Sequence, residues 1–313
     1  MKKPVLKIIY VLFAAFLAVS CSSNVKPQQE DGKISVVSAI FPSYDFARNV
    51  CGDAAEVSML ISPGADVHAF EPTAKDINRI KNCDLFIYTG GESDAWVESI
   101  LSSFEEEINT LKMMDVSVLE REDYTHFESS EKHEHHHSEY DEHIWTSPEN
   151  AVKIVTAIKD KMCDIDAESA MIYTENAKEY IEKINAVDSE TKAVVASAKR
   201  KTVVMGDRFP LLYYAKHYGL EVFAAFPGCA EKTEPSASTL TFLADKIRQE
   251  NIPVVFKSEL SGGQTADALC SETGAKCLEL AACHNISKQD FDAGVGYVDV
   301  MRKNAQALTE ALN

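Results

Sequence analysis

The stretch DAESAMIYTENAKEYIEKINAVDSETKAVVASAK, Asp166–Lys199, decides the fold. It lies within a run from Glu149 to Met205 that contains neither glycine nor proline. Tyr173, Ala177, Tyr180, Ile184, Val187 and Val194 recur at intervals of three, four or seven, with Glu and Lys between them. That is the spacing of an amphipathic helix. Asp166 is placed to cap its start. At 1.5 Å per residue the helix is roughly 50 Å long, more than one small lobe needs. A single short apolar stripe suits a strut between two lobes better than a coiled-coil dimer.

On both sides of the strut, short apolar runs alternate with helical spacing. Ile34–Ser38, Glu56–Ile61, Leu85–Thr89 and Leu111–Asp115 read as buried parallel strands, with helices at Tyr44–Val50, Thr73–Asn82 and Ser93–Ser103. Thr202–Met205, Glu221–Ala225, Val254–Lys257 and Lys276–Leu280 repeat the pattern, with helices at Leu211–His217, Thr239–Asn251, Gln264–Thr273 and Val298–Leu312. A chain of 313 residues also suits two domains. The expected class is α/β: two lobes with parallel sheets flanked by helices, joined by one long rigid helix. Residues 34–163 form the N-terminal lobe, 164–200 the connecting helix and 201–313 the C-terminal lobe. No convincing sequence repeat relates the lobes.

The N-terminus is a targeting segment. Lys2, Lys3 and Lys7 precede an apolar run, Ile8–Val19, too short to span a bilayer comfortably. Residues 1–20 therefore read as a signal peptide. Ala18-Val19-Ser20-Cys21 resembles a bacterial lipobox, which would make Cys21 the lipidated mature N-terminus, and residues 21–33 read as a polar tether. The expected location is extracytoplasmic, on a lipid anchor at the bacterial membrane. A formal charge of −18 with no basic stripe excludes nucleic acid as a partner. Eight cysteines less Cys21 leave an odd number, and no CxxC pair supports a zinc knuckle.

The candidate chemistry is carried by histidines. THFESSEKHEHHHSEYDEHIW, from Thr125 to Trp145, holds six of the nine: His126, His133, His135, His136, His137 and His143. EKHEHHH is a low-complexity tract of the kind that gathers borderline metal ions without fixed geometry, and it also has the composition of a plain solvated loop. His143 differs, because it enters the apolar, proline-punctuated HIWTSPENAV. His68 lies in SPGADVHAFEPT after a strand, with Glu71 nearby, and His284 lies in ELAACHNIS after the last strand. All three occupy positions where α/β sheets place ligand residues, beyond the carboxyl ends of strands. Three neutral imidazoles suit Zn²⁺, whereas Mn²⁺ favours more oxygen donors. His217, inside a helical run, reads as a packing or surface residue. Gly262-Gly263 lacks the pattern of a phosphate loop, and no GxSxG or HExxH motif occurs.

These residues carry a resemblance. PGADVHAFEPTAKDINRIKNCDLFIYTGG, DEHIWTSPENA and YVDVMRKNAQALTEAL, in that order, resemble segments of the bacterial zinc- and manganese-binding lipoproteins that serve ABC transporters, the cluster A-I family. The resemblance covers Ile34–Asn313 and implies two α/β lobes bridged by a long helix, with the metal between them. It also implies a monomer that docks on an ABC permease. A His-rich loop, here residues 126–143, is typical of zinc-type members. His68 and His143 fall at the first two ligand positions. At the third, counting back from Tyr218-Gly219-Leu220 gives Arg208, which has no available lone pair. His284 is expected to replace the Asp usual at the fourth. Arg208 would then pair with Glu234 or Asp207, and a water or a carboxylate such as Glu71 or Asp207 would complete the coordination. The same resemblance implies a Cys229–Cys283 disulfide. The implied function is high-affinity Zn²⁺ binding for uptake. Manganese or iron capture by the same fold, a zinc hydrolase with Glu71 as base, and a surface adhesin are the alternatives.

Overall fold

The computed structural model describes residues 32–121, 140–226 and 235–313. The leader, Cys21, most of the tether, His126, His133, His135, His136, His137, Cys229 and Glu234 lie outside the described residues.

Two four-stranded sheets are built, every pairing parallel. The first comprises β1 (Ile34–Ser38), β2 (Ala55–Met59), β3 (Leu85–Tyr88) and β4 (Thr110–Lys112), in the order β2-β1-β3-β4. The second comprises β5 (Thr202–Met205), β6 (Glu221–Ala224), β7 (Val254–Lys257) and β8 (Lys276–Glu279), in the order β6-β5-β7-β8. The two orders are the same. In each, the chain leaves its first strand to one side and returns to the other, which opens a crevice at the carboxyl ends. β4 is shorter than expected, because Met113–Val116 turn into a 3-10 helix.

The helices are α1 (Phe41–Cys51), α2 (Ala74–Asn82), α3 (Ala95–Leu101), α4 (Pro148–Ile165), α5 (Ala170–Ser197), α6 (Leu212–Tyr218), α7 (Ala237–Glu250), α8 (Gln264–Thr273), α9 (Lys288–Asp292) and α10 (Tyr297–Ala311). The glycine- and proline-free run contains two helices. Asp166 ends α4, and its carboxylate then accepts from the Ser169 N–H and the Tyr173 hydroxyl to start the next segment. With 28 residues, α5 is about 42 Å long. Its buried stripe is Tyr173, Ala177, Tyr180, Ile184, Val187, Thr191 and Val195, and the expected Val194 is half-buried against the same core.

One apolar core runs from the first sheet through α4, α5 and α10 to the inner face of the second sheet. A smaller cluster of Val204, Phe223, Leu243, Ile247, Val255 and Leu269 fills the outer face of the second sheet under α7 and α8. β5 shows the division: Val203 and Met205 join the main core while Val204, pointing the other way, joins the smaller one. The buried Asp45 ties three elements together: it accepts from Arg48 on its own α1, the Tyr180 hydroxyl of α5 and the Tyr297 N–H of α10. His217 packs as expected, with Nε2 2.8 Å from Asp188 of α5.

The expected Cys229–Cys283 disulfide has its Cys229 end outside the described residues. Cys283 is a free thiol, 1% exposed and enclosed by the main core, where burial beside the Glu259 and Asp45 carboxylates pushes it far above the usual thiol range. No helix among the described residues is long and apolar enough to cross a membrane.

Candidate metal centre

Among the described residues, one group of three donor side chains converges: His68, His143 and His284, with ligand atoms all within 4.8 Å of one another. They arrive from three loops at the carboxyl ends of both sheets. His68 follows β2, His143 follows β4 and precedes α4, and His284 follows β8. The ring centroids of His68 and His143 lie 4.9 and 5.0 Å from that of His284, and both pairs meet edge-on. A tetrahedral zinc site holds imidazole nitrogens at about 2.0–2.1 Å from the ion.

Hydrogen bonding sets the tautomer of two rings. His68 Nδ1 is 2.9 Å from the Ser93 hydroxyl, which donates its single proton to Glu142 Oε1. The hydroxyl must therefore accept from Nδ1–H, which puts the His68 lone pair on Nε2. The Ser93 N–H also donates to Glu142 Oε2 at 3.1 Å, so this carboxylate grips the serine twice. Gly91 makes room for it: a Cβ there would lie 2.2 Å from Glu142 Oε2. His143, only 2% exposed, places Nδ1 3.2 Å and its backbone N–H 2.8 Å from Asp141 Oδ1. That carboxylate accepts the Nδ1 proton, which puts the lone pair on Nε2. Such outer partners raise ligand basicity and fix ring orientation.

His143 is immobilised by the segment that follows. Ile144–Thr146 form a 3-10 turn, Ser147 caps α4, and Pro148 sits at the first helical position. The Trp145 indole donates to Ala282 O at 2.8 Å, and the Tyr297 hydroxyl donates to Trp145 O at 2.7 Å. His284 packs 5.0 Å from the Trp145 ring. Burial first, then the two neighbouring imidazoles, hold His284 well below the ordinary imidazole range. It is neutral at pH 7, with its lone pair available.

The loop bearing His284 is gripped through its backbone. Glu259 accepts from the Ala282 and His284 N–H groups, both at 2.8 Å, and Asn304 pairs with both backbone groups of Ala281. Burial pushes the Glu259 carboxyl up to about 7. These contacts hold Cys283 at φ 63°, a left-handed conformation that non-glycine residues rarely adopt.

The remaining candidates stand apart from the group. Glu71 is exposed on the loop past His68. Asp207 is occupied by backbone donors, taking the Arg208 N–H at 2.9 Å and the Ser258 N–H at 3.4 Å. The expected side-chain pairing of Arg208 with Asp207 is accordingly replaced by this backbone contact, and among the described residues Arg208 forms no ion pair. Ser93, Asp141, Glu142, Glu259 and Asn285 were not singled out by the sequence reading. Only Asp141-Glu142 and Asn285 carried a signal, as polar residues flanking His143 and His284.

With the geometry in place, the comparisons are specific. Residues 36–311 match the family described as ZnuA, zinc-uptake complex component A, periplasmic. The high-affinity zinc uptake system protein ZnuA of Bacillus subtilis is 32% identical over 312 residues, covering 97% of each chain. The zinc-binding lipoprotein AdcA of Streptococcus pneumoniae is 31% identical over 317 residues, which cover 99% of this chain but only 61% of AdcA. The crystal structure of the Zn(II)-bound ZnuA-like domain of that protein superposes with a TM-score of 0.74 at 29% identity, covering 90% of this chain and 99% of the domain. A match across both lobes and the connecting helix leaves one assignment: the chain belongs to the ZnuA family of zinc-uptake binding components.

Proposed function

We propose that this protein captures Zn²⁺ outside the cytoplasm and delivers it to an ABC permease, performing no chemical transformation itself. The observation that carries this reading is the convergence of three imidazoles, from both lobes, within 4.8 Å. Zinc is the cargo. His68, His143 and His284 hold it through nitrogen, and a water or a carboxylate completes four-coordination. An all-imidazole set favours zinc over manganese, which takes oxygen donors. A hydrolase would need a general base at a bound water. Glu71, the base considered for that role, is exposed and stands outside the donor group.

Residues 34–163 and 201–313 act as the lobes and 164–200 as the link, in a monomer. Cys21 carries a lipid that holds the protein at the membrane, and the histidine loop 126–143 collects zinc for the tight site. The core shared by both lobes and α5 restricts hinge opening, so release follows loop rearrangement on docking.

The test is growth of a deletion strain in zinc-chelated medium. The wild-type gene restores growth and zinc accumulation, and the His143→Ala gene does not. Deleting residues 126–138 leaves the tight site intact but lowers uptake when zinc is scarce. Full restoration by His143→Ala would refute the assignment.

A further inference from the structure

We propose that Asn285 is a positioning residue that latches the His284 loop of one lobe onto the His68 loop of the other, and so sets how long zinc is retained. The latch rests on the zinc-carrier reading above. Asn285 is 5% exposed, and its amide is fully used. One side-chain NH₂ donates to Ser62 O at 3.0 Å and to Ala65 O at 2.8 Å, while Oδ1 accepts the Ile286 N–H at 2.8 Å. A backbone bond runs beside it, from Gly64 N–H to Ile286 O at 2.8 Å. Three hydrogen bonds therefore cross from residues 285–286 to residues 62–65, which end three residues before His68.

The chemistry of the amide is specific. Two carbonyl oxygens from one loop face one side chain, so that side chain must offer two donors. Aspartate, equal in size, offers none and sets a charge against both carbonyls. The far side of the same segment is already fixed by Glu259, Asn304 and Trp145. Asn285 thus transmits the position of a firmly held loop to an exposed one. Without it His143 and His284 stay in place, and the His68 loop keeps only the Gly64–Ile286 bond and the Ser93–Glu142 contact as its reference to them.

The test is a double-mutant cycle on zinc affinity and dissociation rate, using wild type, Asn285→Ala, His68→Ala and the double variant, with Asn285→Asp as an isosteric check. Asn285→Ala is expected to weaken zinc about tenfold, mainly through faster dissociation, and Asn285→Asp at least as much. In the His68→Ala background Asn285→Ala should change affinity less than twofold, because its effect passes through His68. Additive losses, or an unchanged affinity in Asn285→Ala, would overturn the latch. Amide exchange in metal-free protein separates the latch from the zinc reading. Asn285→Ala should accelerate exchange at Gly64 at least tenfold while the β1 and β3 amides keep wild-type rates. Weak zinc binding by wild type with this acceleration would sink the carrier assignment and keep the latch; unchanged Gly64 exchange would sink the latch alone.

Discussion

His68 and His284 face each other across one site and are held in opposite ways. His68 stands on an exposed loop, and its ring is oriented by side chains, the Ser93 hydroxyl backed by Glu142. His284 is presented by a backbone segment clamped by Glu259 and Asn304, with its ring packed against those of His143 and Trp145. The difference divides the site into a preformed half, His143 with His284, and an adaptable half, His68. Parts that must move draw on the least protected contacts in a structure. On the proposed reading, zinc would enter and leave on the His68 side while His143 and His284 stay fixed.

The largest expected effect breaks the fixed half. His284→Ala should weaken zinc binding about 100-fold, close to 2.7 kcal/mol, and His143→Ala similarly. His68→Ala should cost about tenfold and act mainly on dissociation, as stopped-flow release to a chelator would read. A larger loss in His68→Ala than in His284→Ala would reverse the division. Next comes the support of the adaptable half. Ser93→Ala removes the hydroxyl between His68 and Glu142 and should lower affinity about tenfold, measured by competition with a zinc indicator. Gly91→Ala should do less, since its Cβ displaces Glu142 but leaves the serine.

The smallest effect concerns pH. Ligands must be deprotonated to bind, so zinc affinity falls on acidification. Burial and the neighbouring imidazoles depress the folded-state pKa of His284, so zinc displaces less proton from it near neutral pH than from an ordinary imidazole. The slope of log K against pH between 7 and 6 should therefore be shallower than three ordinary imidazoles would give. The same depression means that the stability contributed by a neutral His284 is present above about pH 6.5 and lost as pH falls toward its folded value. His284→Gln should flatten that acid limb in thermal melts of metal-free protein.

Much of this was legible in the sequence, for definite reasons. The strut showed itself because Tyr173, Ala177, Tyr180, Ile184 and Val187 are spaced by helical geometry, and those residues are buried in α5. The strands were visible as short apolar runs in the order a parallel sheet requires. The convergence of His68, His143 and His284 followed from their places after strands, since carboxyl ends gather at one crevice. The break at Asp166 was harder to see, because Asp caps a helix as readily as it ends the previous one. The matching strand order of the two sheets is a property of connections and leaves no mark on letters. Ser93, Glu259 and Asn285 act from a distance in sequence, through bonds spanning 49, 25 and 223 residues. No local pattern encodes such pairings.

The most direct measurement is calorimetric titration of metal-stripped protein with Zn²⁺ and then Mn²⁺, in wild type and His284→Ala. Three converging imidazoles should give wild type one tight zinc site and weak manganese binding, with the zinc site weakened at least tenfold in His284→Ala. Tight manganese with weak zinc, or a zinc affinity that His284→Ala leaves unchanged, would contradict the three-histidine site.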